Sequence, residues 1–214
     1  MFKCQMLNVP GQRRVAEKRM ERIPPVKDVP YALWAPSARD SSSTPAECVS
    51  PELVERLARL LVPGAAIVCM GNELMGDDGA GVWVGRHLDA AGPWRVYDVQ
   101  TAPENFLFLI ADRRPAAVLV IDAMDFGAEP GTVALVEGER VTGQGPGTHG
   151  PSPAAFLELL AQVHPCPTAV LGIQPAQAEM AAPLCPRVAA AAEGVALALR
   201  AIADILRQSA AGPD

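Results

Sequence analysis

No two of the five cysteines, Cys4, Cys48, Cys69, Cys166 and Cys185, form a C-x-x-C pair. An odd, scattered set without zinc spacing points away from a disulfide scaffold or a zinc finger, and toward reduced, mostly buried thiols. Apolar runs long enough to span a bilayer are missing. Met1 to Pro30 carries charges throughout and has no apolar segment of the kind a secretory leader needs. Positive charge is also short: 18 Lys and Arg stand against 24 Asp and Glu, a net −6 at pH 7. That balance argues against nucleic acid or an anionic membrane surface as the partner. Together these absences lead to the expectation of a cytoplasmic protein. Two catalytic signatures, H-E-x-x-H and G-x-S-x-G, are absent as well, and no cysteine has a histidine partner nearby in sequence.

What is present is a chain of 214 residues, half of them hydrophobic, enough for one domain with a sizeable core. Residues 1–50 differ from the rest. Arg13, Arg14, Lys18, Arg19, Arg22 and Lys27 make them basic, and Pro24-Pro25, Pro30, Pro36 and the run Ser41–Pro45 deny them regular structure. They are expected to be a flexible extension. A catalytic domain is expected over 51–208 and a disordered tail over 209–214.

Within the domain the pattern alternates. Ser50 is placed to cap a helix that starts at Pro51 and carries Leu53, Leu57, Leu60 and Leu61 on one face. Apolar runs at Ala65–Met70, Ala117–Asp122 and Thr168–Ile173 read as buried strands, with two more at Arg95–Val99 and Thr132–Val136. Helices are expected over Gly79–Ala91, Pro103–Ala111, Pro153–Val163 and Arg187–Arg207. Strands apolar on both faces that alternate with helices predict an α/β fold, with a mainly parallel sheet covered on both sides. In such folds ligands sit at the carboxyl ends of the strands.

Three places at those ends could carry chemistry. The loop after the first strand, Gly71-Asn72-Glu73-Leu74-Met75-Gly76-Asp77-Asp78-Gly79-Ala80-Gly81, is glycine-rich but has neither G-x-G-x-x-G nor G-K-[ST]. Asp77 and Asp78 would repel a pyrophosphate and suit a cation. Asp77 is read as a helix cap and Asp78 as a site residue. Asp122 closes an apolar strand, where a carboxylate is costly unless paired, solvated or metal-bound. It is either such a site residue or an acid bonded to nearby amides, and Asp125 beside it reads as a turn acid. His149 lies in a Gly/Pro loop before a helix, a better setting for a ligand than His87, expected inside a helix, or His164 at a helix end. Two carboxylates and an imidazole suit nickel, zinc, iron or cobalt alike and leave positions open.

These residues resemble the opening and inner motifs of the [NiFe]-hydrogenase maturation proteases, nearest to the branch that processes the hydrogenase-3 (formate-hydrogenlyase type) large subunit. The likeness is carried by Gly71-Asn72-x-x-x-x-Asp77-Asp78-Gly79-x-Gly81, Thr101-Ala102-Pro103-Glu104-Asn105, Ile121-Asp122-Ala123, Thr148-His149 and Leu171-Gly172-Ile173-Gln174-Pro175. It covers roughly Pro51 to Arg207. The resemblance implies a three-layer α/β/α sandwich with a twisted five-stranded sheet. It also implies an endopeptidase, aspartic-type by family habit, that removes the C-terminal peptide of a hydrogenase large-subunit precursor after nickel insertion. The nickel-contacting trio falls on Asp78, Asp122 and His149. No intrinsic cofactor is implied, because the nickel comes with the substrate. The partners implied are the precursor and hydrogenase assembly chaperones, with no nucleic acid and no membrane. The acid of the family's D-G-G-[ST] block falls on Asp98, although here the block reads Asp98-Val99-Gln100-Thr101 and lacks both glycines. Either Asp98 or Asp78 could serve as general base, or the metal could polarise the scissile carbonyl or activate water. Two rivals stand beside this reading. One is a non-cleaving nickel-sensing chaperone of the same fold. The other is a peptidyl-tRNA hydrolase, which the acidic loop disfavours.

Overall fold

The structure, a computed structural model, describes residues 48–88, 92–141 and 152–211. Helix α1 (Pro51–Leu60) begins as its sequence predicts. Ser50 Oγ accepts a bond from Leu53 N at 3.3 Å, and Pro51 occupies the first turn, where its missing N–H costs nothing. The chain continues through β1 (Ala66–Met70), a 3-10 turn (Gly76–Gly79), α2 (Ala80–Arg86) and β2 (Arg95–Gln100). A second 3-10 turn (Pro103–Phe106) leads into α3 (Leu107–Asp112), and β3 (Val118–Ala123) and β4 (Val133–Glu137) follow. The last elements are α4 (Pro153–Val163), β5 (Thr168–Ile173) and α5 (Pro186–Ala211).

The five strands form one sheet in the order β2-β1-β3-β5-β4. The pairings β1–β2, β1–β3 and β3–β5 are parallel, and β4 lies antiparallel to β5 at the edge. The exception has a simple cause. No helix separates β3 from β4, and a parallel partner needs a crossover long enough to carry the chain back. The sheet is thus mainly parallel, with helices on both faces. On one face Ile67, Cys69, Leu119, Ile121 and Leu171 pack with α1, α2 and α5. On the other, Ala66, Val68, Val118, Val120 and Val170 pack with α3 and α4. This is the three-layer sandwich that the resemblance implies.

Several boundaries differ from expectation. The helix expected over Gly79–Ala91 is a 3-10 turn followed by α2, which ends at Arg86, so His87 caps its end instead of sitting inside it. The helix expected from Pro103 opens as a 3-10 turn. Helix α5 continues to Ala211, three residues into the stretch expected to be a tail. The extension over 1–50 falls, except for its last three residues, outside the described residues. Of those three, Val49 is buried in the core.

Close packing of α2 on the sheet sets the geometry of the carboxyl edge. A Cβ on Gly81 would run into the carbonyl oxygens of Ile121 and Met70, and one on Gly85 would meet the Cys69 side chain at 2.6 Å. Both carbonyls belong to strands and cannot turn aside. Substituting Gly81→Ala is therefore expected to destabilise the fold by about 1–3 kcal/mol despite the better helix propensity of alanine. Urea unfolding of the variant beside the parent checks this.

Candidate functional site

The strand order reverses direction at β1: the chain passes from β1 to β2 on one side and returns to β3 on the other. The crevice between the carboxyl ends of β1 and β3 is therefore the switch point at which open α/β sheets bind ligands. Asp78 comes from the loop after β1 and Asp122 from the end of β3.

The loop after β1 folds back on itself. Asn72 N donates to the backbone oxygen of Asp78 at 3.2 Å and to Asp78 Oδ2 at 2.9 Å, and Asn72 Oδ1 accepts from Leu74 N at 3.0 Å. Gly71 sits at φ +127°, and a Cβ there would collide with the Asp78 carbonyl, so only glycine closes this turn. Asp78 is half-buried. Burial raises its carboxyl above the ordinary value, opposed by the Asn72 N–H. Asp122 is only 7% exposed. Burial, followed by the negative charge of Asp78, pushes it up to about 8, while the Ala123 N–H opposes the rise. The two are thus close enough for the charge of Asp78 to act on Asp122, and among the described residues no positive group lowers either carboxyl. Among the described residues no third histidine, cysteine or acid completes a metal-holding group with them. His149 lies outside the described residues.

Asp98 sits elsewhere. It lies on β2 opposite Cys69 of β1. Strand alternation turns it, like Val96, toward α2, whereas Asp122 shares the parity of Val118 and Val120 and turns toward α3 and α4. Arg86 Nε donates to Asp98 Oδ2 at 3.3 Å, and Arg86 Nη1 also pairs with Glu73 of the loop that carries Asp78. Asp98 Oδ1 is buried and without a hydrogen-bond partner. Structure thus brings Asp78 and Asp122 together, and it ties Asp98 to their loop through Arg86. The turn after β2 is made without the two glycines: Gln100 takes φ +49°, a left-handed conformation that costs a non-glycine residue roughly 1–2 kcal/mol. Gly71 N donates to Gln100 O at 3.1 Å, so the strained residue is bonded to the loop after β1.

Asp77 is not a helix cap: neither the 3-10 turn nor α2 has a side-chain cap bond. It is fully buried. Its Oδ2 accepts from Ala176 N at 2.9 Å and Gln177 N at 3.1 Å, and its Oδ1 from Cys185 N at 2.6 Å. It therefore fastens the β5–α5 loop to the loop after β1. Gln174 plays a similar part for the β3–β4 loop. Its Oε1 accepts from Phe126 N and Ala128 N, and its Nε2 donates to Asp125 Oδ1 at 3.0 Å. Asp125 also accepts from Gly127 N, as a turn acid should. Asp77's role is not visible in sequence, because backbone amides a hundred residues away leave no local signature. The other two histidines are used structurally. His87 stacks on Trp83 with ring centroids 3.7 Å apart, and His164 Nε2 lies 2.9 Å from Pro115 O. A cavity of about 640 Å³ between α1 and β4, lined in part by Glu52, Arg56, Thr132 and Arg187, holds neither carboxylate of the pair. Its size does not make it the site of chemistry.

Comparison with known proteins follows the same lines. A family model described as "HycI: Hydrogenase maturation protease" matches residues 84–202, a stretch that contains Asp98, Asp122 and His149 and begins after Asp78. The hydrogenase 3 maturation protease of Escherichia coli (strain K12) is 39% identical over 77 residues, which is 35% of this chain and 49% of that protein. The chain thus spans about half the length of the curated relatives it matches. The solution structure of the endopeptidase HycI from Escherichia coli is 32% identical, with a TM-score of 0.55, covering 62% of this chain and 86% of that one. The crystal structure of the [NiFe] hydrogenase maturation protease HycI from Thermococcus kodakarensis KOD1 is similar in fold. Its TM-score is 0.60 at 24% identity, over 68% of this chain and 93% of the other.

The raised Asp122 has a measurable consequence. Its carboxyl goes from an ordinary 3.8 to about 8, so the folded protein keeps a proton that the unfolded chain has released. The stability this contributes is full below about pH 4 and is lost as pH rises through about 8. Asp122→Asn is expected to flatten that decline, so that the variant's melting temperature gains on the parent's as pH rises from about 5 to about 8. Scanning fluorimetry of both proteins across this range tests it.

Proposed function

This chain belongs to the hydrogenase maturation protease family, and we propose that it is an endopeptidase that removes the C-terminal peptide of a [NiFe]-hydrogenase large-subunit precursor once nickel is in place. The observation that carries the reading is the Asp78–Asp122 pair at the β1/β3 crevice, an accumulation of acids in which the charge of Asp78 adds to burial in raising the Asp122 carboxyl. A resident phosphate or nucleotide would worsen that imbalance, and a cation brought by the substrate relieves it.

In this reading the nickel is part of the substrate, already held by the precursor's own thiolates. Asp78, Asp122 and His149 add oxygen and nitrogen ligands to it, so that docking depends on correct metal loading. Cleavage itself adds water across the scissile amide: the water oxygen joins the carbonyl carbon, the C–N bond breaks, and the leaving amine takes a proton. The bound metal supplies carbonyl polarisation or an activated water, and either Asp78 or Asp98 takes the proton. Asp78 is the better placed of the two, because it lies in the crevice, whereas Asp98 turns to the opposite face of the sheet and is paired with Arg86. The same reading places the protein in the cytoplasm beside hydrogenase assembly chaperones, with residues 1–50 as an extension to the catalytic domain. Among the described residues Cys69, Cys166 and Cys185 are free thiols, and no described helix is long and apolar enough to cross a membrane.

The test is incubation of purified protein with nickel-loaded and metal-free precursor, read by the gel mobility of the large subunit. Only the nickel-loaded form should be cut. Asp78→Asn keeps the size but removes the charge, and should lower the rate on the order of 100-fold or more while the circular dichroism is unchanged. His149→Ala should cripple the reaction similarly. Equal cleavage of both precursor forms by the unaltered protein would overturn nickel checking. Binding without any cleavage would point to the non-cleaving chaperone.

A further inference from the structure

Two large apolar side chains stand out of the protein beside the carboxylate pair. Leu74 is 70% exposed on the loop after β1, and Met180 is 79% exposed on the β5–α5 loop. Ala181 N donates to Leu74 O at 2.7 Å, which sets the two loop tips side by side. Isolated exposed hydrophobics are ordinary on protein surfaces. These two are not isolated, and their backbones are held in place. Asn72 Oδ1 accepts from Leu74 N, Asp77 anchors the base of the Met180 loop through three amides, and Ala181 sits at φ +60° without being glycine. A third exposed apolar side chain, Phe126, leaves the same sheet edge on the β3–β4 loop. Its Cε1 lies 3.4 Å from where a Cβ on Gly172 would stand, and Gly172 is the β5 partner of Asp122. The loops that follow β1, β3 and β5 therefore present apolar side chains around the same edge that carries both carboxylates.

We propose that Leu74 and Met180 form a preformed apolar docking surface for the nickel-loaded precursor protein, engaging the surface next to its metal centre; this rests on the function proposed above. Charge selects the occupant. Two carboxylates at one crevice suit an incoming metal ion that has open coordination positions, and a free metal ion would make no use of the apolar rim. A second copy of this chain, at net −6, would set one carboxylate pair against another. A protein that carries a metal ion with open coordination positions within an apolar neighbourhood satisfies both features at once. Because the loops are already ordered, little conformational entropy is lost when the partner seats.

The double variant Leu74→Ser/Met180→Ser separates this inference from the proposed function. Neither side chain belongs to the core or to the carboxylate site, so the melting temperature should match the parent's. Biolayer interferometry with nickel-loaded precursor should show Kd rising at least about tenfold. Cleavage kinetics should show KM rising with it while kcat at saturation is unchanged. Cleavage by the parent with Kd and KM unaltered in the variant would overturn the docking surface and leave the protease reading intact. If the parent binds precursor without cutting it and the variant loses that binding, the docking surface stands and the protease reading falls. A parent that neither binds nor cuts overturns both. A parent that sediments as a dimer, with the variant a monomer of unchanged Kd, would make this face a self-interface and overturn the inference.

Discussion

Asp77 is the carboxylate on which the geometry of the carboxyl edge depends. Hydrogen bonds to a charged group contribute about 1.5–3 kcal/mol each, and Asp77 accepts three of them from Ala176, Gln177 and Cys185. Those bonds satisfy amides that would otherwise be unpaired where the chain passes from β5 into α5. They also hold the loop after β1 rigidly against it, so the neighbouring Asp78 has a set position relative to β3. One acid of the Asp77-Asp78 pair is spent on structure so that the other can face outward to a ligand.

The cost of that arrangement appears at Asp122. A buried carboxyl next to another carboxylate keeps its proton at neutral pH, and its rise to about 8 records both burial and the charge of Asp78. A cation entering the crevice would replace that proton and remove the repulsion together. Such a pair gains from a positive charge, and no described residue lowers either carboxyl by supplying one. Leu74 and Met180 stand exposed on the two loops that Asp77 joins.

Around this centre the chain tolerates local strain. Gln100 adopts a left-handed backbone where the related motif has glycines, and its carbonyl accepts the bond from Gly71 N. Glycine is retained where the obstacle is a backbone atom, at Gly71 and Gly81. At Gln100 the obstacle is torsional and costs about 1–2 kcal/mol, which the surrounding packing of β1 against β2 absorbs.

Much of this was legible in the amino-acid sequence. The all-apolar runs at 65–70, 117–122 and 168–173 declare buried parallel strands because both of their faces must be covered, and Ser50-Pro51 declares a helix start because capping is a local event. The acids at the strand ends stand out for the same reason: a charge at the end of an apolar run needs a local explanation. Tertiary structure alone decided the rest. It turned β4 antiparallel, because strand direction depends on which partner a connection can reach. It made Asp77 a clasp between loops instead of a cap, because its partners are backbone amides 99 to 108 residues away that carry no side-chain signature. And it set Asp78 beside Asp122 while turning Asp98 to the opposite face toward Arg86, because the face a strand residue occupies relative to a distant loop follows from register and packing, and no spacing along the chain records either.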